Sequence, residues 1–151
     1  MSRERDLVSL LELANEAARS SPNRVRQIGA VLLTAEGVRL SACNAFPRGV
    51  RDIDDRHQND EPWLWMEHAE RNVIFEAARR GLSTQGATLA SSFYPCVDCA
   101  RAIVQAGIAR LYTYEPRLKN AFWIEHFRCS PVILAEGGVE VQLMEALEIR
   151  T

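Results

Sequence analysis

The sequence predicts an α/β fold: a three-layer α/β/α domain built on five strands, with residues 1–151 forming a single domain. Three observations predict it. Short β-type runs alternate with helical apolar periods in the order α-β-β-α-β-α-β-α-β. Such alternation implies crossovers and a sheet covered on both faces. The chain is 151 residues long and 47% apolar, one ordinary domain with enough material for a core. It carries no repeats and no low-complexity tract.

Each element has its own signal. Leu7, Leu10, Leu11, Ala14, Ala17 and Ala18 follow helical spacing to about Ser20, and Ser21-Pro22-Asn23 breaks the helix. Residues 27–34 read as a buried strand, Ala35-Glu36-Gly37 as a tight turn and 38–44 as the returning strand of a hairpin. Residues 45–62 have no apolar period, are rich in charge and carry Pro47, Gly49 and Pro62. A loop that long in a compact domain is usually functional or disordered. It leads into a histidine motif, so a substrate loop is expected. A helix follows over 66–80, with Ala69, Val73, Ile74, Ala77 and Ala78 on one stripe and Gly81 as cap. Then come a strand over 87–93, a helix over 97–106 closed by Gly107, and a strand over 109–114. A short helix is expected over 120–127. Ser130-Pro131 read as the N-cap and first residue of a further helix ending at Gly137-Gly138. Residues 139–143 form a last strand, with a short helical tail. The histidine and cysteine helices are expected to present their N-termini at one edge, where open α/β sheets place their sites.

Two stretches carry chemistry: Trp65-Met66-Glu67-His68-Ala69-Glu70-Arg71-Asn72 and Pro95-Cys96-Val97-Asp98-Cys99. His68, Cys96 and Cys99 are a three-ligand zinc set, which leaves a fourth position for water. The cysteines, three apart after a proline expected at N1, suit the first turn of a helix, whose positive end favours thiolates. Zinc-bound water loses a proton near neutral pH, and Glu70 is the obvious acceptor. Residues two apart on a regular helix do not face each other, so His68 and Glu70 share a pocket only at a helix start. Glu67 is expected to cap or face away, and Asp98 to point off the metal. Each half alone is weak: C-x-x-C also fits a redox pair. A closed zinc knuckle is the structural alternative, with Cys43, Cys129, His57 and His126 as possible fourth ligands. Both halves together match H-x-E…P-C-x-x-C, the signature of the zinc-dependent base deaminases.

Composition narrows the class. The net charge of −2 gives no global pull toward nucleic acid or anionic membrane. No apolar run is long enough to span a bilayer. The first six residues carry four charges, on Arg3, Glu4, Arg5 and Asp6, and lack a signal-peptide apolar region. Four cysteines, two of them apparent metal ligands, fit a reducing compartment, so a cytoplasmic location is expected.

Beyond the signature, the chain resembles the cytidine deaminase superfamily over nearly its whole length, and within it the deoxycytidylate (dCMP) deaminases and their bacterial relatives. Ile28-Gly29-Ala30-Val31 looks like the family's first strand, and Asn44-Ala45-Phe46-Pro47-Arg48-Gly49-Val50 is similar to its substrate loop. Residues 65–72 match its histidine helix, and Pro95 to Arg101, with Ile103 and Gly107-Ile108, match its second motif. The resemblance implies a cytidine-deaminase-like domain with a five-stranded mixed sheet. It implies zinc on His68, Cys96 and Cys99, with Glu70 carrying protons to N3 and to the leaving amine. Asn44 would bind the sugar or a base edge, and Ala69 would lie against the substrate. The reaction implied is hydrolysis at C4 of cytosine with release of ammonia, dCMP to dUMP being the first reading. The chain departs from the family where Ala42-Cys43-Asn44-Ala45 replaces G-Y-N-G, which puts nucleotide regulation and the room for a sugar in question.

Among remaining residues, Arg48, Arg51 and Arg56 form a loop cluster that a 5′-phosphate would want, with Arg48 foremost. Phe46 and Tyr94 flank motifs and are candidates to stack on the base, and Trp63 and Trp65 to wall the pocket. Trp63, Trp65, Phe122, Trp123 and Phe127 are large aromatics to hide, so a homo-oligomer is expected. The expected partner is otherwise a small nucleotide or nucleoside, with neither nucleic acid nor membrane. The alternatives are a deaminase of a nucleoside or a free base (cytidine, guanine or an aminopyrimidine), a tRNA adenosine deaminase, and a zinc-bearing scaffold protein without activity.

Overall fold

A computed structural model describes residues 2–116 and 121–145. Its elements are α1 (Ser2–Ala18), β1 (Gly29–Leu33), β2 (Arg39–Cys43), α2 (Pro62–Trp65), α3 (Ala69–Arg79), β3 (Thr88–Ser91), α4 (Val97–Gln105), β4 (Arg110–Tyr114), α5 (Ala121–Glu136) and β5 (Glu140–Met144). The sheet has five strands in the order β2-β1-β3-β4-β5. β1 is antiparallel to β2 and β3, while β3, β4 and β5 run parallel, so the sheet is mixed as expected.

The pleat sorts the core into two faces. Val31, Ala90 and Tyr112 point to one side and pack with Leu10, Leu11 and Ala14 of α1. Their neighbours Leu32, Leu89 and Leu111 point to the other, against Val73 of α3, Cys99 and Ile103 of α4, and Phe127 and Leu134 of α5. That gives the three layers. α1 lies close on β1: a Cβ at Gly29 would stand 1.9 Å from the Ala14 carbonyl oxygen. Only glycine admits that approach.

Four expectations need correction. Residues 45–62 are not structureless: Asp54–His57 make a 3-10 turn, and α2 begins at Pro62. α3 starts at Ala69 rather than Met66, because Ala45 and Glu67 exchange backbone hydrogen bonds of 3.1 and 2.9 Å and keep the chain extended to His68. Pro95 is not at N1; Cys96 is the N-cap and Val97 the first helical residue. Ser130-Pro131 does not open a new helix, because α5 runs through it. The Ser130 hydroxyl donates to the Pro95 carbonyl at 2.8 Å instead of capping. Trp123, Phe127, Ser130 and Leu134 form one buried stripe across the proline, so burial outweighs the lost backbone bond. Residue 120 and the expected tail lie outside the described residues.

Candidate active site

Two helix starts meet at the edge of β3. His68 is the N-cap of α3 and Cys96 the N-cap of α4, both in extended backbone. Neither side chain caps its own helix. Instead they turn to each other and to Cys99. His68 Nδ1 lies 3.5 Å from Cys96 Sγ and 3.4 Å from Cys99 Sγ, and the three donor atoms lie within 4.8 Å of one another. The Val97 N–H that this leaves at the head of α4 donates to His126 Nδ1 of α5 at 3.2 Å. Asn72 donates to the Cys43 and Glu67 carbonyls at 2.9 and 3.2 Å, tying α3 to β2.

Zinc bonds of about 2.3 Å to sulfur and 2.0–2.1 Å to nitrogen at tetrahedral angles place N and S about 3.6 Å apart. The nitrogen–sulfur spacings of the trio fit that ion. Among the described residues no fourth Cys or His joins them. His57 pairs with Asp52, and Cys43 and Cys129 lie apart, so the closed knuckle finds no fourth ligand there.

The trio shares its protons unevenly. A hydrogen bond from Cys99 and the His68 ring hold Cys96 down to about 4, against the opposing effect of burial. Donating that bond pushes Cys99 well above the usual thiol value, with burial and the Glu70 charge adding to it. Burial pulls the His68 imidazole down, but the Cys96 thiolate and Glu70 carry it above its ordinary value. A dication displaces such protons, because it takes thiolate and neutral imidazole as ligands. Arg71, salt-bridged to Glu67 at 2.5 Å, lies in the field of both cysteines, which raise its own pKa against the opposing effect of burial.

Glu70, in the first turn of α3, is 2% exposed. Its Oε2 is 3.2 Å from Cys99 Sγ and its Oε1 is 2.6 Å from Ser91 Oγ. Glu67 accepts from the His68 backbone N–H at 3.0 Å, and Asp98 pairs with Arg101, so neither competes with Glu70.

A cavity of about 300 Å³ opens on His68; Asn44, Trp63, Met66 and Trp123 help line it. Asn44 is buried with its amide engaged, accepting from Ile28 N–H at 2.8 Å and donating to the Arg26 carbonyl at 2.9 Å. Ala69 is buried directly after His68. Phe46 and Arg48 line a different depression of about 510 Å³ over β2 and α3. There Arg48 pairs with Glu76 at 2.5 Å, and Phe46 meets His57 edge-on. Tyr94 is buried behind the cysteine loop against Phe127. Trp65 stacks under Arg56.

Sequence reasoning missed Ser91, Arg26, Asp60 and the cavity role of Trp123. Ser91 had a legible signal: a polar residue ending a buried strand needs a partner. Trp123 had none, because only the packing of α5 brings it to the cavity.

The family model for the cytidine and deoxycytidylate deaminase zinc-binding region matches residues 4–115.

The chain belongs to that family.

Its cofactor is zinc, and the His68, Cys96 and Cys99 group suits it. An uncharacterized deaminase in the luxG 3′ region of Aliivibrio fischeri is 31% identical over 118 residues, 76% of this chain and 77% of that one. Deoxycytidylate deaminase of Enterobacteria phage T2 is 44% identical over 75 residues, which span 49% of this chain but 36% of the phage enzyme. The fold is similar to that of the dCMP deaminase from the cyanophage S-TIM5, with TM-score 0.73 and 23% identity over 93% of this chain and 98% of that one. As a family member the chain is a deaminase. Among the described residues no helix is long and apolar enough to cross a membrane.

Proposed function

We propose that the chain is a zinc-dependent hydrolytic deaminase of a cytosine nucleotide, converting dCMP to dUMP with release of ammonia. The observation that carries the reading is a buried carboxylate, Glu70, fixed beside a three-donor metal group whose His68 lines a cavity of about 300 Å³. About 300 Å³ is the lower end of the small-molecule range. Phage relatives named deoxycytidylate deaminase support the base and the phosphate.

His68, Cys96 and Cys99 would hold the zinc, which would supply a polarised water that ionises near neutral pH. Glu70 would accept one proton of the attacking water on Oε2 and pass it to N3 as the hydroxyl adds to C4. It would then take the proton of that C4 hydroxyl and deliver it to the amino nitrogen, which leaves as ammonia as the C4 carbonyl forms. Ser91 keeps the carboxylate aimed throughout. Its hydroxyl has one hydrogen and two acceptors in reach, Glu70 Oε1 at 2.6 Å and the Phe93 carbonyl at 2.8 Å. The ionised carboxylate takes that hydrogen, because a charge-assisted bond is the stronger. When Oε2 carries a proton, Oε1 remains an acceptor, and the serine hydroxyl goes on donating to it. The buried carboxyl therefore keeps the same partner in both protonation states. Trp63 and Trp123 offer apolar walls to the pyrimidine, and Asn44 braces the backbone on which it rests.

An ammonia-release screen over dCMP, deoxycytidine, cytidine, cytosine, guanine and an adenosine-bearing tRNA stem-loop tests the reading. The highest kcat/KM is expected on dCMP. A clear preference for a nucleoside, a free base or the RNA would refute it.

A further inference from the structure

Arg48 is the loop cation that the sequence offers to a phosphate, yet it lies outside the His68 cavity and pairs with Glu76. Arg26 lines the same cavity as His68 and Asn44. We propose that Arg26 receives the 5′-phosphate and so sets the preference for a nucleotide over a nucleoside. The inference rests on the nucleotide reading above.

The wall of the cavity orders the contacts. The His68 and Trp63 ring centroids are 6.1 Å apart, and Trp63 and Trp123 are 5.3 Å apart. The Arg26 guanidinium carbon lies 5.4 Å from the Trp123 centroid and 4.5 Å over the Phe93 ring. A run of ring contacts through Trp63 and Trp123 thus links the metal ligand to the guanidinium along the cavity lining. In a pyrimidine, C4 and N1 are opposite corners of the ring. A cytosine with C4 at the His68 end directs its N1 substituent, sugar and then phosphate, away from the metal. Arg26 closes that run of contacts, separated from His68 by the two tryptophans in it, and is the lining cation placed to meet the anion.

The segment that presents Arg26 is held on both sides. Asn23 Oδ1 accepts the N–H groups of Val25 and Arg26, each at 2.9 Å. Asn44 Nδ2 donates to the Arg26 carbonyl at 2.9 Å. The guanidinium plane is steadied by Phe93 and Trp123 through cation–π contact. A planar fork of donors held in that way suits a phosphate better than a mobile ammonium. Asp60 lines the same cavity and its carboxylate repels an anion, so the attraction for phosphate has to come from the guanidinium.

Calorimetric binding of dUMP and deoxyuridine to the zinc-loaded protein tests this without turnover. The wild type is expected to prefer dUMP. Arg26→Ala should shrink that preference roughly tenfold to a hundredfold, the range of one charge-assisted hydrogen bond. Arg26→Met keeps the apolar stem against Phe93 and Trp123 and should lose as much, which covers any misfolding of the alanine variant. Arg26→Lys should retain part of the preference. The proposal is overturned if the wild type shows no dUMP preference, if Arg26→Met weakens both ligands equally, or if the preference survives Arg26→Met; its disappearance in Arg48→Ala would then give the phosphate to Arg48. Ammonia release by the wild type reports separately on the nucleotide reading. Failure to turn over dCMP sinks that reading, while the dUMP-to-deoxyuridine ratio still decides the role of Arg26.

Discussion

Ser91→Ala isolates the support of the proton carrier from the carrier itself. Ser91 is fully buried at the end of β3, its carbonyl held by Thr113 at 2.8 Å, so the backbone should stay in place. The substitution removes the donor that faces Glu70 Oε1 at 2.6 Å and leaves that oxygen buried without it. An abandoned buried acceptor costs about 1–3 kcal/mol, more when charged. Where that loss falls on the transition state, which needs Oε2 aimed at the moving proton, and not on the resting complex, kcat should fall about 10- to 100-fold, at about 1.4 kcal/mol per tenfold. The KM for dCMP should change little, because Ser91 does not line the cavity. The same loss in the folded state should lower Tm by several degrees, at about 2–4 °C per kcal/mol for a chain of this size. The assay is initial-rate kinetics by loss of cytosine absorbance, with zinc content measured on the same sample. A variant with intact zinc and a kcat within twofold of wild type would remove Ser91 from the mechanism. So would loss of kcat in strict proportion to loss of zinc, because the serine would then support the metal group rather than Glu70.

Other outcomes follow from the same geometry. Glu70→Gln should keep fold and zinc while kcat drops by about 10³ to 10⁴ or more, since a positioned acid/base gives about 10² to 10⁴ and here serves two steps; a variant within tenfold of wild type contradicts the role. Metal analysis should give one zinc per chain, lost in Cys99→Ala; full metal in that variant rules out the three-donor assignment. Gly29→Ala should destabilise strongly, at or beyond the upper end of the roughly 1–3 kcal/mol of overpacking, because its Cβ would stand 1.9 Å from the Ala14 carbonyl oxygen; an unchanged denaturant midpoint would show that α1 can shift. Light scattering should give a mass above the 17.0 kDa of one chain if the chain assembles with itself, as the half-exposed Trp63 and the exposed Leu64 suggest; a monomer at micromolar concentration ends that expectation.

The sequence alone determined the five strands and the grouping of the three metal donors, while the order of the strands came only with the fold. Period-2 and period-3.6 apolar patterns are local, so Val31 and Leu32, or Val73 and Ala77, declare their faces without reference to distant chain. The trio was legible because ligand chemistry allows few residue types, and because a helix start is the only place where His68 and Glu70 meet. What the tertiary structure decided lies at long range. The proline in α5 was read as a helix start from its local chemistry, but a buried stripe fixed by contacts with the sheet runs through it. Arg48 follows the substrate-loop motif in sequence, yet the bridge between Ala45 and Glu67 leaves it on the outer side of α3, against Glu76. Arg26 and Trp123 are 97 positions apart in number and meet at one cavity wall only because α5 packs across the cysteine helix. Local propensity carries no information about such pairs, because the free energy that selects them is the burial of surfaces brought together by the finished fold.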